Sequence, residues 1–392
     1  MPDTLTNETL FGFEAKALEA RNGLWTAREI AQQPKMLRET QALLMARRDE
    51  IAAFLKPVLM PENIRVILTG AGTSAFIGEC LAPVLAMTLK RRVEAIATTD
   101  LACAPHLYFE AGTPTLLVSF GRSGNSPESI AAVELADRFI DRLHHLVITC
   151  NEEGALARYA ARNQGLTLVL PEATHDRGFA MTSSFSCMTF AALSALSGVE
   201  RLQTRIEAIA EATQGLIAGY SATLKAMEGG FERIVYLGSH IFKGLARESG
   251  LKLLELTNGA LVTLFESPLG FRHGPKTIVN NKTLVVVFFS NDAYTRGYDS
   301  DLVDELLRDN DAGRVIAITA QDGVGLPAAD IIRVRGLETA TDADLLFPYI
   351  IAPQIFAFHQ SLLHGLTPDQ PNASGTVNRV VQGVRIHWIA DR

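Results

Sequence analysis

Two strand-to-helix turns concentrate small residues and hydroxyls: GAGTSAFIG at 70–78 and SFGRSGNSPES at 119–129. Gly72, Gly121 and Gly124 let a ligand approach the backbone. Thr73, Ser74, Ser123 and Ser126 add neutral donors, with Arg122 and Asn125 beside them. A helix that starts after such a turn offers unpaired N–H groups and the positive end of its dipole, so the pattern suits one phosphate. Ser126 before Pro127 and Glu128 also reads as an N-cap with proline at the first helical position, and capping and anion binding are compatible in one turn. The first turn fits G-x-G-x-x-A of a dinucleotide site with Asp100 as ribose partner. However, Asp100 lies further on than the roughly 20 residues usual for that motif, and a dinucleotide site leaves the second hydroxyl loop unexplained.

A second group of candidates lies in GLARESGLKLLELTNGALVTLFESPLGFRHGPK. A helix is expected over about 241–257, then a strand near 260–265 and a loop holding His273. Glu248, Lys252 and Glu255 fall at i, i+4 and i+7 and share one helical face. They form either a solvated Glu–Lys ladder or a functional row. Gly274 and Pro275 turn the chain after His273 and leave its imidazole projecting. A carboxylate and a histidine beside a bound phosphosugar supply aldose–ketose chemistry, one group assisting ring opening and the other moving a proton between C1 and C2. His175, in THDRGFAMTSSFSCM at 174–188, reads more simply as a hydrogen-bonded structural residue.

The elements that position these residues recur twice. Short β-branched runs (RVILTG, VEAIATT, TLLVSF, HLVITC, TLVLP) alternate with helical stretches such as SPESIAAVELADRFIDRL, a pattern of parallel strands with crossover helices. The order returns as RIVYLG, ALVTLF, TLVVVFF, RVIAITA and IIRVRG. Gly70 against Gly238, Ser119 against Ser290 and Thr149 against Thr319 give offsets of 168, 171 and 170, the mark of a duplicated unit. The second copy lacks the phosphate loop: where the first has GRSGNS, it has Ser290, Asn291, Asp292, Ala293 and Tyr294.

The expected organisation is an N-terminal helical segment at 1–45, a phosphate-binding domain at 46–210, a domain carrying the Glu and His at 211–365, and a tail at 366–392. The boundary falls in the helical stretch near 205–228. The first segment reads as a leader or oligomer contact, with an amphipathic helix interrupted at Pro34. The tail is expected to wrap back and bury Val380, Val381, Val384, Ile386 and Trp388.

With 392 residues, two cores of ordinary size are expected. A net charge of -7 without a Lys/Arg cluster argues against a nucleic-acid partner. Cys80, Cys103, Cys150 and Cys187 are dispersed, which suggests buried thiols in a reducing compartment and neither disulfides nor a zinc site. No run approaches the roughly 18 apolar residues of a membrane helix, and the N-terminus lacks a secretory pattern, so the cytoplasm is the expected location.

TGAGTSAFIG, SFGRSGNSPES, THDRGFAMTSS, LLELTNG, GFRHGPK and SGTVNRVVQG together resemble the tandem sugar isomerase domains of the galactosamine-6-phosphate deaminase/isomerase family, also labelled tagatose-6-phosphate ketose/aldose isomerase. The resemblance runs from about residue 25 to the C-terminus. It extends to the isomerase half of glucosamine-6-phosphate synthase, whose phosphate loop usually has a serine where this chain has Gly121. It implies an α/β fold of two doubly wound parallel-sheet domains, each a flavodoxin-like three-layer sandwich. It places the phosphate on Ser74, Ser123 and Ser126 with the neighbouring Gly72, Thr73, Arg122 and Asn125, and adds Ala180, Thr182 and Arg379 as further substrate contacts. Glu255 matches the carboxylate that moves the C1/C2 proton, with Lys252 and Glu248 its helix neighbours. His273 matches a ring-opening histidine that reaches the site from a neighbouring subunit of a homodimer or homotetramer. The implied reaction deaminates galactosamine-6-phosphate to tagatose-6-phosphate and ammonia, with no metal or organic cofactor. Plain isomerisation of an unaminated phosphosugar, or a non-catalytic phosphosugar sensor, are the competing readings.

Overall fold

The computed structural model describes residues 8–163, 165–381 and 383–387. Two five-stranded sheets dominate, and every strand pair within them is parallel. The first comprises β1 (Arg65–Thr69), β2 (Arg92–Ala95), β3 (Thr115–Gly121), β4 (Leu143–Thr149) and β5 (Leu166–Val169), in the order β2-β1-β3-β4-β5. The second comprises β6 (Arg233–Gly238), β7 (Val262–Glu266), β8 (Thr283–Phe288), β9 (Arg314–Thr319) and β10 (Ile331–Arg333), in the order β7-β6-β8-β9-β10. The two orders are the same. Each sheet reverses strand order once, between β1 and β3 in the first and between β6 and β8 in the second, and such crevices at the C-terminal strand ends are where open α/β sheets take ligands.

The central strands are continuous apolar runs because helices cover both of their faces. β1 and β8 are buried along their whole length. Around the first sheet Ile67, Leu117, Val147, Leu135 and Leu156 form one core. Around the second, Val235, Val285, Val287, Leu302 and Phe271 form another.

The chain divides into two compact units, each with one sheet. The unit of the first sheet comprises the described residues of 39–175, 184–204 and 374–387, and that of the second the described residues of 8–38, 176–183 and 205–373.

Strand register refines the sequence alignment of the two copies. Arg65 pairs with Thr115 and Arg233 with Thr283, so Ser119 corresponds to Val287, and Ser290 falls at the place of Arg122. The expected match of Ser119 to Ser290 is thereby corrected. Two glycines do correspond: a Cβ on Gly70 would lie 2.5 Å from the Ser74 Cβ, and one on Gly238 would lie 2.5 Å from the Phe242 Cβ. At both places only glycine lets the following helix begin against its strand.

Three further expectations change. The N-terminal helix breaks at Gln32, and Pro34 sits in the first turn of the helix Gln33–Ala46, where its missing N–H costs nothing. Cys103 is exposed, whereas the other three cysteines are buried. In the tail, Val381 and Val384 remain 52% and 36% exposed and Val380 is half-buried; among the described tail residues only Ile386 packs against the first core, and Trp388 lies outside the described residues.

Candidate functional site

In the first-sheet unit, helix α1 (Thr73–Leu89) starts directly after β1 with Gly72 at its N-cap, at φ 56° and ψ −129°. A positive φ of this kind suits glycine, and here it draws Thr73 and Ser74 into a tight first turn. Both residues are buried.

Helix α2 (Pro127–Phe139) follows β3 through the loop 122–126. Ser126 holds the N-cap position with Pro127 next to it, but its side chain makes no capping bond and instead donates to Ser129 Oγ at 2.6 Å. The expected hydroxyl cap is therefore absent, and Ser126 Oγ, with its proton given to Ser129, keeps acceptor capacity in the loop. Ser123 Oγ accepts from Asn125 N at 3.3 Å, and the Ser123 carbonyl accepts from Asn151 Nδ2 at 2.9 Å. Asn125 Oδ1 accepts from Ala155 N at 2.9 Å, which leaves its amide N–H groups as the available donors. Arg122 is buried and donates to the Arg379 carbonyl at 3.0 Å, so the expected substrate residue Arg379 is brought beside this loop. Thr69, Ser119 and Thr98, near the C-terminal ends of β1, β3 and β2, have buried hydroxyls without a hydrogen-bond partner among the described residues.

The second-sheet unit carries the acidic row. Helix α3 (Ile241–Leu256) follows β6 and ends in a left-handed turn, with Gly259 N donating back to the Leu254 carbonyl at 2.9 Å. Lys252 is fully buried; its Nζ lies 2.5 Å from Glu255 Oε2 and 3.5 Å from Glu248 Oε1. Glu248 is fully buried too, whereas the Glu255 side chain is 23% exposed. The solvated-ladder alternative fails on this burial. A buried cation is kept only when paired, and here two carboxylates flank it. The row presents a single solvent-reachable carboxylate, Glu255, fixed by a lysine behind it.

His273 lies between the short helix Pro268–Phe271 and the turn Pro275–Ile278. Phe271 anchors this segment in the core. Helix α4 (Ala293–Asp309) grips the flanks, with Arg272 2.8 Å from Glu305 and Lys276 paired with Glu305 and Asp309. The His273 imidazole is exposed and makes no hydrogen bond among the described residues.

Segment 176–183 is organised by carboxylates. Asp176 accepts from Thr182 N at 2.8 Å and from the Ser183 hydroxyl, and Glu29 accepts from Arg177 N at 2.5 Å and from Gly178 N at 3.2 Å. Burial, with the charges of Asp176 and Asp369 adding to it, pushes the Glu29 carboxyl up to about 8. Ala180 and Thr182 are both buried, and Thr182 Oγ1 has no partner among the described residues. His175 is half-buried at the end of the short turn Glu172–Thr174.

A polar cluster that the sequence did not single out lies after β6 and β8. Asp342 opens helix α5 (Asp342–Tyr349), and its Oδ2 accepts from Ser290 Oγ at 2.5 Å and meets His240 Nε2 at 2.9 Å, while its Oδ1 accepts from Asn291 N at 2.7 Å. Asp299 accepts from Ser239 Oγ at 2.6 Å and Ser290 N at 3.0 Å, and burial pushes its carboxyl up to about 6. The available signal was the repeat itself: at the 168-residue offset of the glycines, His240 stands at the place of Gly72.

Two hydroxyl-lined turns at the switch point of a parallel sheet define a sugar isomerase fold, and the SIS domain model matches residues 59–197. The chain belongs to the family of the D-galactosamine-6-phosphate deaminases. It is 48% identical to D-galactosamine-6-phosphate deaminase AgaS of Escherichia coli O157:H7, over 95% of this chain and 98% of that protein. It is 44% identical to the protein of the same name from Shewanella sp. strain ANA-3, over 95% and 94%. The crystal structure of tagatose-6-phosphate ketose/aldose isomerase from Escherichia coli superposes with a TM-score of 0.86 at 42% identity, covering 97% of this chain and 99% of that one. Among the described residues no helix is long and apolar enough to cross a membrane.

Proposed function

We propose that this chain deaminates galactosamine-6-phosphate to tagatose-6-phosphate and ammonia. The observation that carries this reading is the nearly full-length similarity to proteins named for that substrate and reaction. The buried Glu248–Lys252–Glu255 row supports it, because a deaminase of this kind needs one exposed carboxylate whose position is fixed.

In the proposed reaction Ser74, Ser123 and Ser126, with Gly72, Thr73, Arg122 and Asn125, hold the phosphate. Binding energy from that remote group keeps the sugar in register for a proton transfer. His273 assists ring opening to the C1 aldehyde. Glu255 removes the C2 proton, forming an enolamine, and returns a proton to C1, which leaves an iminium at C2. Water adds at C2, the C–N bond breaks and ammonia leaves, so the amino sugar and water become ketose phosphate and ammonia. Lys252 orients Glu255, and Glu248 balances the lysine charge. Ala180, Thr182 and Arg379 contact the sugar. The chain acts as a cytoplasmic homo-oligomer in which His273 serves a neighbouring subunit's site, in keeping with its exposure and lack of partners.

The name of the solved relative favours a second reading, ketose–aldose isomerisation of an unaminated 6-phosphosugar, which uses the same carboxylate without C–N cleavage. Ammonia release from galactosamine-6-phosphate, with glucosamine-6-phosphate and N-acetylgalactosamine-6-phosphate alongside, separates the two. Ammonia from the galacto substrate, lost in Glu255→Gln, supports deamination. No ammonia from any of them, with interconversion of tagatose-6-phosphate intact, leaves the isomerase.

A further inference from the structure

The duplicated fold offers two anion cradles, built from the same pair of loops at the same strand ends. In the first unit these are the turn after β1 and the loop after β3. Their counterparts in the second unit are the turn after β6, with His240, and the loop after β8, with Ser290 and Asn291. We propose that the second cradle is occupied from within: the Asp342 carboxylate takes the seat that the first cradle gives to a phosphate, so that the chain carries one phosphosugar seat and not two. The inference rests on the phosphate reading of the first cradle.

Four observations support it. Asp342 bridges both loops at once, with His240 Nε2 from one at 2.9 Å, and Ser290 Oγ at 2.5 Å and Asn291 N at 2.7 Å from the other. Its two oxygens thus meet a side-chain N–H or imidazole nitrogen, a hydroxyl and a backbone N–H, the donor types an anion seat is made of. His240 keeps the backbone of the glycine it replaces, φ 39° and ψ −108° against 56° and −129° at Gly72, a conformation that resists a side chain. The segment through the loop after β8 is also shorter, with ten residues from Thr283 through its N-cap Asp292 against twelve from Thr115 through Ser126, so the second loop closes on a carboxylate held by the fold. Asp299 and Asp292 border the same loop, accepting from Ser290 N and Thr295 N, and add negative charge that disfavours a further anion there.

Isothermal titration of the full-length protein with inorganic phosphate and with the unreactive galactitol-6-phosphate tests the count of seats. The expected result is one equivalent per chain in the wild type and none in the Ser74→Ala/Ser123→Ala/Ser126→Ala variant, with circular dichroism confirming that it is folded. Two equivalents in the wild type falling to one in the variant would leave the first cradle standing and overturn the inference. If the triple substitution leaves binding unchanged, the first cradle is misread and the inference falls with it; the hold of His240 on Asp342 is tested separately by a thermal double-mutant cycle. In that cycle His240→Gly is expected to lower the melting temperature when Asp342 is present and to raise it in an Asp342→Ala background. A rise in both backgrounds shows that the histidine does not hold the carboxylate, and overturns the inference.

Discussion

The two sheets have the same strand order and register, yet they present opposite chemistry at the same crevice. After β1 and β3 the first has glycines and hydroxyls, with Ser126 Oγ bonded to Ser129 and not to a helix N–H, and the Thr69 and Ser119 hydroxyls without a partner among the described residues. After β6 and β8 the second has His240, Ser290 and Asn291 gathered around Asp342. Its functional candidates instead lie further along α3, where Lys252 is locked between Glu248 and Glu255. The two copies thus share a scaffold, while one keeps hydroxyl-lined turns and the other buries a Glu–Lys–Glu row along a helix face.

The largest effect that would sharpen this contrast is expected at Glu255. Glu255→Gln should lower kcat for ammonia release by about 10³-fold with galactitol-6-phosphate binding retained, since general acid–base groups contribute roughly 10²–10⁴. Retained turnover would move the chemistry out of the second copy.

Next come the shared glycines. Gly70→Ala and Gly238→Ala each push a methyl to 2.5 Å from the next helix, against backbone as well as side chain. Both should destabilise by about 3 kcal/mol in urea unfolding, in the range of overpacked sites. A large cost at one and none at the other would break the structural equivalence of the two copies.

A smaller effect distinguishes the loops. Ser123→Ala should raise KM about 10-fold through one lost charge-assisted hydrogen bond, with kcat little changed. Ser290→Ala should leave KM unchanged and lower stability by about 1 kcal/mol, because its hydroxyl serves Asp342. Equal KM effects would erase the difference between an open and a filled cradle.

The smallest effect concerns Glu29. Its folded pKa, pushed up to about 8, lies above the ordinary 4.5, so the folded state binds the proton more tightly than the unfolded chain. The stability it contributes is complete below about pH 4.5 and is lost as pH rises towards 8, with a slope of at most roughly 1.4 kcal/mol per pH unit. Glu29→Gln should flatten that part of the stability profile in denaturant titrations at pH 5, 6.5 and 8. An unchanged profile would show that the segment 176–183 is not held by a protonated carboxyl.

The sequence by itself determined the strands, their alternation with helices and the duplication, because a parallel sheet buried on both faces writes itself as apolar runs between crossover helices. It also located the two hydroxyl turns and the Glu248, Lys252, Glu255 spacing, since both motifs are local. Burial was not legible. An i, i+4, i+7 row reads the same whether solvent or protein covers it, and only packing around α3 removed Glu248 and Lys252 from water. The pairing of Ser119 with Val287 needed hydrogen-bonded register, because loops of different length shift an alignment without shifting the strands. Asp342 and Glu29 escaped for a related reason: their partners are distant in the chain, His240 102 residues from Asp342 and Arg177 148 from Glu29, and such contacts exist only once the tertiary fold has closed.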